Sequence, residues 1–100
     1  MGLALAQACM SSVSPAAYER ALRALVQFDQ RAALPGIAVP TLCLAAEHDQ
    51  AAPPAVMSRM ASLIPQAQSQ CLPGLGHLMN LENPSAFAKA VFDFLETHFP

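Results

Sequence analysis

Charge is what this sequence has least of. Only 12 % of its 100 residues are charged, against 54 % hydrophobic. Ordinary soluble domains carry about 25 % charged residues. Lys and Arg number five (Arg20, Arg23, Arg31, Arg59 and Lys89), scattered through a chain of net charge −2. Without a basic stripe there is nothing to neutralise a run of phosphates, so no nucleic-acid partner is expected. The same shortage argues against an anionic membrane surface. No apolar run approaches the length of a spanning helix, so no transmembrane segment is expected. A secretory leader is not expected either. Ala6-Gln7-Ala8 loosely fits a small-x-small cleavage site before Cys9, but no Lys or Arg precedes Arg20 and the apolar core is too short. Position 6 is Ala, where a myristoylation signal wants Ser or Thr.

Cysteine is scarce in a second informative way. Cys9, Cys43 and Cys71 are odd in number, widely spaced and form no C-x-x-C. Neither a zinc site nor a redox pair is expected, and no cofactor or metal is implied. Cys43 and Cys71 sit in apolar, strand-like runs, where free Cys behaves as a small buried hydrophobe. This usage fits a reducing, cytoplasmic location.

What is present is hydrophobic bulk. It excludes intrinsic disorder, which needs low hydrophobicity and high net charge. A chain of this length makes one domain at most and buries about 60–65 % of its unfolded surface. A small sphere has a large surface, and few charges are available to cover it. The composition therefore argues against a free-standing globule.

Apolar spacing predicts five elements after an Ala-rich, helix-like stretch at Gly2–Met10 that Ser11-Ser12-Val13-Ser14-Pro15 breaks. Ser14 reads as an N-cap with Pro15 at the first helical position, and Tyr18, Leu22, Leu25 and Val26 share one face of a helix over Ser14–Phe28. Asp29–Gly36 reads as a turn connection. Thr41–Ala46 is continuously apolar, as a strand buried on both faces is, with Pro40 at its entrance. Pro53-Pro54 opens a helix with Val56, Met60, Leu63 and Ile64 on one face, and Pro65 ends it. Gln68–Leu72 reads as a second strand. Asn83-Pro84 opens the last helix, lined by Phe87, Val91, Phe94 and Leu95. Helix, strand, helix, strand, helix implies parallel strands and the α/β class.

In open parallel sheets, reacting groups gather beyond the carboxyl ends of the strands. Asp49 lies three residues past the first strand and His77 five past the second. An acid holding the Nδ1–H of a histidine fixes its tautomer and leaves Nε2 as a general base. From spacing alone, an Asp in one loop and a His in another usually read as two unrelated solvated groups. His48 reads as a solvated loop residue, and His98 as a partial charge at the negative end of the last helix. Met57 and Met60 read as packing, Glu82 as a structural acid near the start of the last helix, and Arg31 as surface.

These residues also resemble a family. Ile37-x-Val39-Pro40-Thr41-Leu42 followed by Ala46-Glu47-His48-Asp49 resembles the strand and acid loop of α/β-hydrolases. Gly74-Leu75-Gly76-His77-Leu78, with Glu82, Pro84 and Phe87, resembles their histidine segment. Phe92-Asp93-Phe94-Leu95 resembles their last helix. The match runs from Phe28 to Phe99, in order, and the style is similar to enol-lactone hydrolases and esterase-like members. The resemblance implies the C-terminal part of a three-layer parallel sheet, an incomplete fold. It implies Asp49 as triad acid and His77 as triad base. It further implies residues 1–36 as a lid-return helical segment and linker, and 37–100 as the segment carrying acid and His. Ala46 stands where the family has Gly.

The nucleophile is missing. Its G-x-S-x-G elbow precedes the acid in the family's chain order, yet Gly occurs only at 2, 36, 74 and 76. Ser11, Ser12 and Ser14 lie in a polar linker, Cys43 in mid-strand and Cys9 in the N-terminal stretch, none on an elbow beside a base. The expectation is the acid and base half of a Ser-Asp-His hydrolase acting on a small-molecule ester, lactone or similar carbonyl, inactive on its own. The alternative is a non-catalytic remnant or oligomerising module that keeps only the packing. An unpaired sheet edge would invite self-association or a complementing chain in either case.

Overall fold

The computed structural model describes residues 2–100, so Met1, the first residue of the expected lid-return segment, lies outside them. The chain divides into two compact units, one ending at Gln30 and one running Arg31–Pro100.

The first unit holds α1 (Gly2–Ser11) and α2 (Pro15–Gln27). The break between them is made by serines. Ser11 Oγ donates to the Gln7 carbonyl and Ser12 Oγ to that of Cys9, each at 2.7 Å. Ser14 caps α2 by accepting the Ala17 N–H at 3.1 Å, and Pro15 supplies a fixed φ to the first turn. Glu19 and Arg23 pair at 2.7 Å on the polar side, a contact worth only about 0.3–0.5 kcal/mol on an exposed helix face. No residue of either helix is buried. The stripe of Tyr18, Leu22, Leu25 and Val26 is exposed, Val26 to 80 %.

The second unit is the α/β part. Arg31–Gly36 forms a 3-10 turn within the turn connection read over Asp29–Gly36. It leads to β1 (Thr41–Ala46), α3 (Pro54–Leu63), β2 (Ala67–Leu72), the short α4 (Met79–Glu82) and α5 (Pro84–His98). The strands are parallel, with Thr41 opposite Ala67 and Ala46 opposite Leu72. α4 has no apolar periodicity to predict it, being a single turn.

Side chains alternate along a strand, so Thr41, Cys43 and Ala45 share one face, and Leu42, Leu44 and Ala46 the other. α3 covers the first face. Cys43, Ala61 and Ile64 are buried together, with Leu34, Ile37, Met57 and Met60 packed against them. α5 meets the second face. Gln68, in register with Leu42, lies 3.5 Å from the His98 ring, which stacks on buried Phe94 at 4.6 Å. Helices on both faces of a two-stranded sheet make part of a three-layer α/β sandwich. The core is thin. Its buried apolar residues are Cys43, Ala45, Ala46, Ala61, Ile64, Leu72, Ala90 and Phe94, half of them alanine.

One sequence expectation fails. Cys71 is exposed, not buried. β2 is an edge strand on which only Ala67 and Leu72 are covered, and the residues between them face solvent. An apolar residue inside a run reads as core only where both neighbouring elements exist to cover it.

Candidate active site

The parallel ladder continues past the ends of both strands. Glu47 N–H donates to the Leu72 carbonyl at 3.0 Å and His48 N–H to that of Leu75 at 2.8 Å. These two bonds hold the loop after β1 beside the loop after β2. Asp49 then turns back, its N–H donating to the Ala46 carbonyl at 3.1 Å. Its Oδ1 accepts from the N–H groups of Ala51 and Ala52 at 2.9 Å each. Its Oδ2 lies 2.9 Å from His77 Nδ1. Asp49 and His77, 28 positions apart, are thus joined.

Electrostatics follow from those contacts. Asp49 is 6 % exposed, the one buried charged residue among those described. Burial pushes its carboxyl up, but the Ala52 N–H, the His77 hydrogen bond and the Ala51 N–H together hold it below the ordinary carboxylate value. An ionised carboxylate only accepts hydrogen bonds, so His77 Nδ1 must carry the hydrogen. The lone pair of the neutral ring then sits on Nε2. The His77 side chain is 62 % exposed, leaving that edge open. Such a ring can take a proton from a hydroxyl placed at Nε2 while the buried carboxylate supports the resulting imidazolium.

The histidine loop carries two further carboxylate contacts. Gly74 has a φ of +74°, a conformation that favours glycine. Its N–H donates to Glu47 Oε1 at 2.8 Å. The Gly76 N–H donates to both oxygens of Glu82, at 3.0 and 3.2 Å. Glu82 therefore reaches back to the loop instead of capping the last helix. That cap is Asn83, whose Oδ1 accepts the Ala86 N–H at 3.1 Å. The sequence marks Glu47 only as part of the polar acid loop, with no role of its own. Its only signal is a place two residues before the acid and opposite a glycine loop.

The remaining candidates lie apart from this geometry. His48 is exposed, 3.4 Å from Glu47. Cys43 is buried in mid-strand, and burial pushes its thiol up, away from the reactive thiolate. Cys9 is exposed on α1. The hydroxyls of Ser11, Ser12 and Ser14 are engaged with backbone groups. Among the described residues no group of three His, Cys, Asp or Glu side chains could hold a metal. No described helix is long and apolar enough to cross a membrane. A groove of about 210 Å³ opens between the 3-10 turn and α3, lined by Leu34, Val56, Met60 and Leu63 with Arg31 and Arg59, and includes neither Asp49 nor His77.

Comparison with known proteins decides the family. The family model described as "Alpha/beta hydrolase family" matches residues 3–90. The chain belongs to the α/β-hydrolase family. The sequence is 41 % identical over 75 residues to polyketide synthase ThaQ of Burkholderia thailandensis, covering 75 % of this chain and 4 % of that protein. Its structure resembles a thermophilic esterase from Thermogutta terrifontis, with a TM-score of 0.69 and 35 % identity over 72 % of this chain and 26 % of that one. It also resembles the enol-lactonase from Burkholderia xenovorans LB400, with a TM-score of 0.64 and 41 % identity over 68 % of this chain and 26 % of that one. The chain thus spans about a quarter of each solved hydrolase, and its two parallel strands with flanking helices are an incomplete hydrolase sheet.

Proposed function

We propose that Asp49 and His77 are the acid and general base of a Ser-Asp-His hydrolase acting on an ester, lactone or similar carbonyl bond. The observation that carries this reading is the dyad itself: Oδ2 to Nδ1 at 2.9 Å, Oδ1 anchored by two backbone N–H groups, and an exposed ring. Esterase and enol-lactonase relatives support the bond type. The 100 residues contain no G-x-S-x-G elbow, so the serine and its oxyanion donors come from outside them. Residues 1–36 serve as a lid-return segment and linker, and 37–100 as the acid and base segment. Three free cysteines fit a cytoplasmic setting.

In that reaction the serine hydroxyl attacks the substrate carbonyl carbon as His77 Nε2 removes its proton. Asp49 holds the ring through Nδ1–H and supports the imidazolium. The tetrahedral intermediate collapses, the C–O bond to the leaving alcohol breaks, and Nε2–H returns the proton to that oxygen. Water, deprotonated by the same Nε2, then attacks the acyl-serine and releases the acid and the free serine. The test is hydrolysis of a p-nitrophenyl ester by the 100-residue chain alone. No turnover is expected. Turnover abolished by His77→Ala would mean that a nucleophile lies within these residues and would overturn that part of the reading.

A second reading has its own observation. Val26, Leu25, Phe28, Phe92 and Val39 are all at least 60 % exposed, and among the described residues β1 pairs with no strand but β2. An apolar chain with an unpaired edge strand favours a non-catalytic, self-associating module. A monomer with a cooperative melt counts against it.

A further inference from the structure

We propose that Glu82 and Glu47 are positioning residues for His77, a two-carboxylate clamp that fixes the histidine loop so that the ring meets Asp49. The inference rests on the dyad reading above. Apolar packing cannot do this job. Leu75 and Gly76 are only half-buried, and Gly74, His77 and Leu78 are exposed. An unrestrained loop of that kind would sample many backbone conformations, and each ordered residue costs about 1–2 kcal/mol of conformational entropy. Besides the Leu75 carbonyl, which accepts the His48 N–H at 2.8 Å, the restraint comes from polar contacts at alternate amides. Gly74 N–H is held by Glu47, and Gly76 N–H, the amide immediately before His77, by both oxygens of Glu82.

The two carboxylates tie the loop to different supports. Glu47 lies two residues before Asp49, so the loop that carries the acid also grips the loop that carries the base. Glu82 ends α4, whose turn is closed by the Leu81 and Glu82 N–H groups donating to the Leu78 carbonyl at 2.9 Å each. The contact at Gly76 is close: a side chain there would make the Glu82 carboxylate give by a few tenths of an ångström. A Cβ there would stand 3.1 Å from Glu82 Oε2. An amide donating to a carboxylate is a charge-assisted bond, stronger than a neutral one. The Glu82 carboxylate is bonded to the Gly76 N–H, next to His77 in the chain, so it acts on His77 through the backbone.

The experiment is NMR on the isotopically labelled chain and its Glu82→Ala, Glu82→Gln and Glu47→Ala variants. Two readouts are followed: hydrogen exchange at the Gly74 and Gly76 amides, and the downfield His77 Nδ1–H resonance of an imidazole bonded to a carboxylate. Glu82→Ala is expected to speed Gly76 exchange about tenfold or more, the loss of a hydrogen bond to a charged group, and to broaden or shift the His77 resonance with the far-UV spectrum unchanged. Glu82→Gln keeps an acceptor oxygen and restores both readouts. Glu47→Ala speeds Gly74 exchange in the same way. Unchanged His77 and Gly76 signals in a folded Glu82→Ala variant would overturn the clamp. So would wholesale unfolding of that variant, since Glu82 would then be a general stabiliser. Should the unmodified chain lack the His77 resonance, the dyad reading fails, while amide exchange still decides whether the carboxylates hold the loop.

Discussion

Replacing Ile64 by Ala should remove a large share of the stability of the α/β unit. Ile64 is 5 % exposed, and it is the only large side chain in a buried cluster whose other members are Cys43 and Ala61. The change deletes three carbons. At about 0.8 kcal/mol per buried methylene the transfer loss alone is about 2.4 kcal/mol. Leu34, Ile37, Met57 and Met60 surround the site and cannot fully refill it, so a cavity term brings the total to about 3–5 kcal/mol. A domain of this size has about 5–15 kcal/mol in all, and this core is thin. Ile64→Val deletes one carbon and should cost about 0.5–1.5 kcal/mol, lowering Tm by about 4–8 °C for each kcal/mol. Thermal and urea melts followed by far-UV circular dichroism measure both. Because Cys43 lies on β1, which leads directly to Asp49, the Ala variant should also weaken the His77 Nδ1–H signal. An Ile64→Ala variant within about 0.5 kcal/mol of the parent would refute the idea that α3 is held on β1 by this cluster.

Three further outcomes follow from the same contacts. Asp49 titrates below its ordinary value in the folded chain, so its contribution is complete above the ordinary carboxylate range and is lost as pH falls through the folded-state value. Urea midpoints taken from neutral to acid pH should therefore fall more steeply for the parent than for Asp49→Asn, and parallel curves would contradict this. Gly74→Ala forces a side chain into a φ of +74° and should cost about 1–2 kcal/mol, seen as a lower urea midpoint, whereas an unstrained site would show no loss. Asn83→Ala removes the cap that accepts the Ala86 N–H and should cost about 1 kcal/mol, read as a Tm drop that Asn83→Ser largely restores.

The elements with strong punctuation were legible from sequence. Ser14-Pro15 and Asn83-Pro84 pair a capping side chain with a preset φ, and α2 and α5 begin at those prolines. Thr41–Ala46, bounded by Pro40 and a polar loop, is the strand expected. The meeting of the Asp49 and His77 loops was legible because parallel strands open their loops at one edge, a topological fact that needs no side-chain detail. What escaped depended on contacts with no local signal. Cys71 reads as core from its neighbours, but its exposure is set by which helix covers β2. Glu47 and Glu82 act through glycine N–H groups 27 and 6 positions away, and a carboxylate carries no mark of which amide it will bind. α4 and the 3-10 turn are too short for periodicity to register.

The most direct test is a segment exchange. Residues 37–100 replace the corresponding segment of the Thermogutta terrifontis esterase, and hydrolysis of a p-nitrophenyl ester is measured. The folded chimera should turn over the ester. His77→Ala within it should cut the rate at least about a hundredfold, the scale of a lost general base. A folded chimera without turnover, or one whose His77→Ala form keeps the full rate, would contradict the assignment of Asp49 and His77 as a working acid and base.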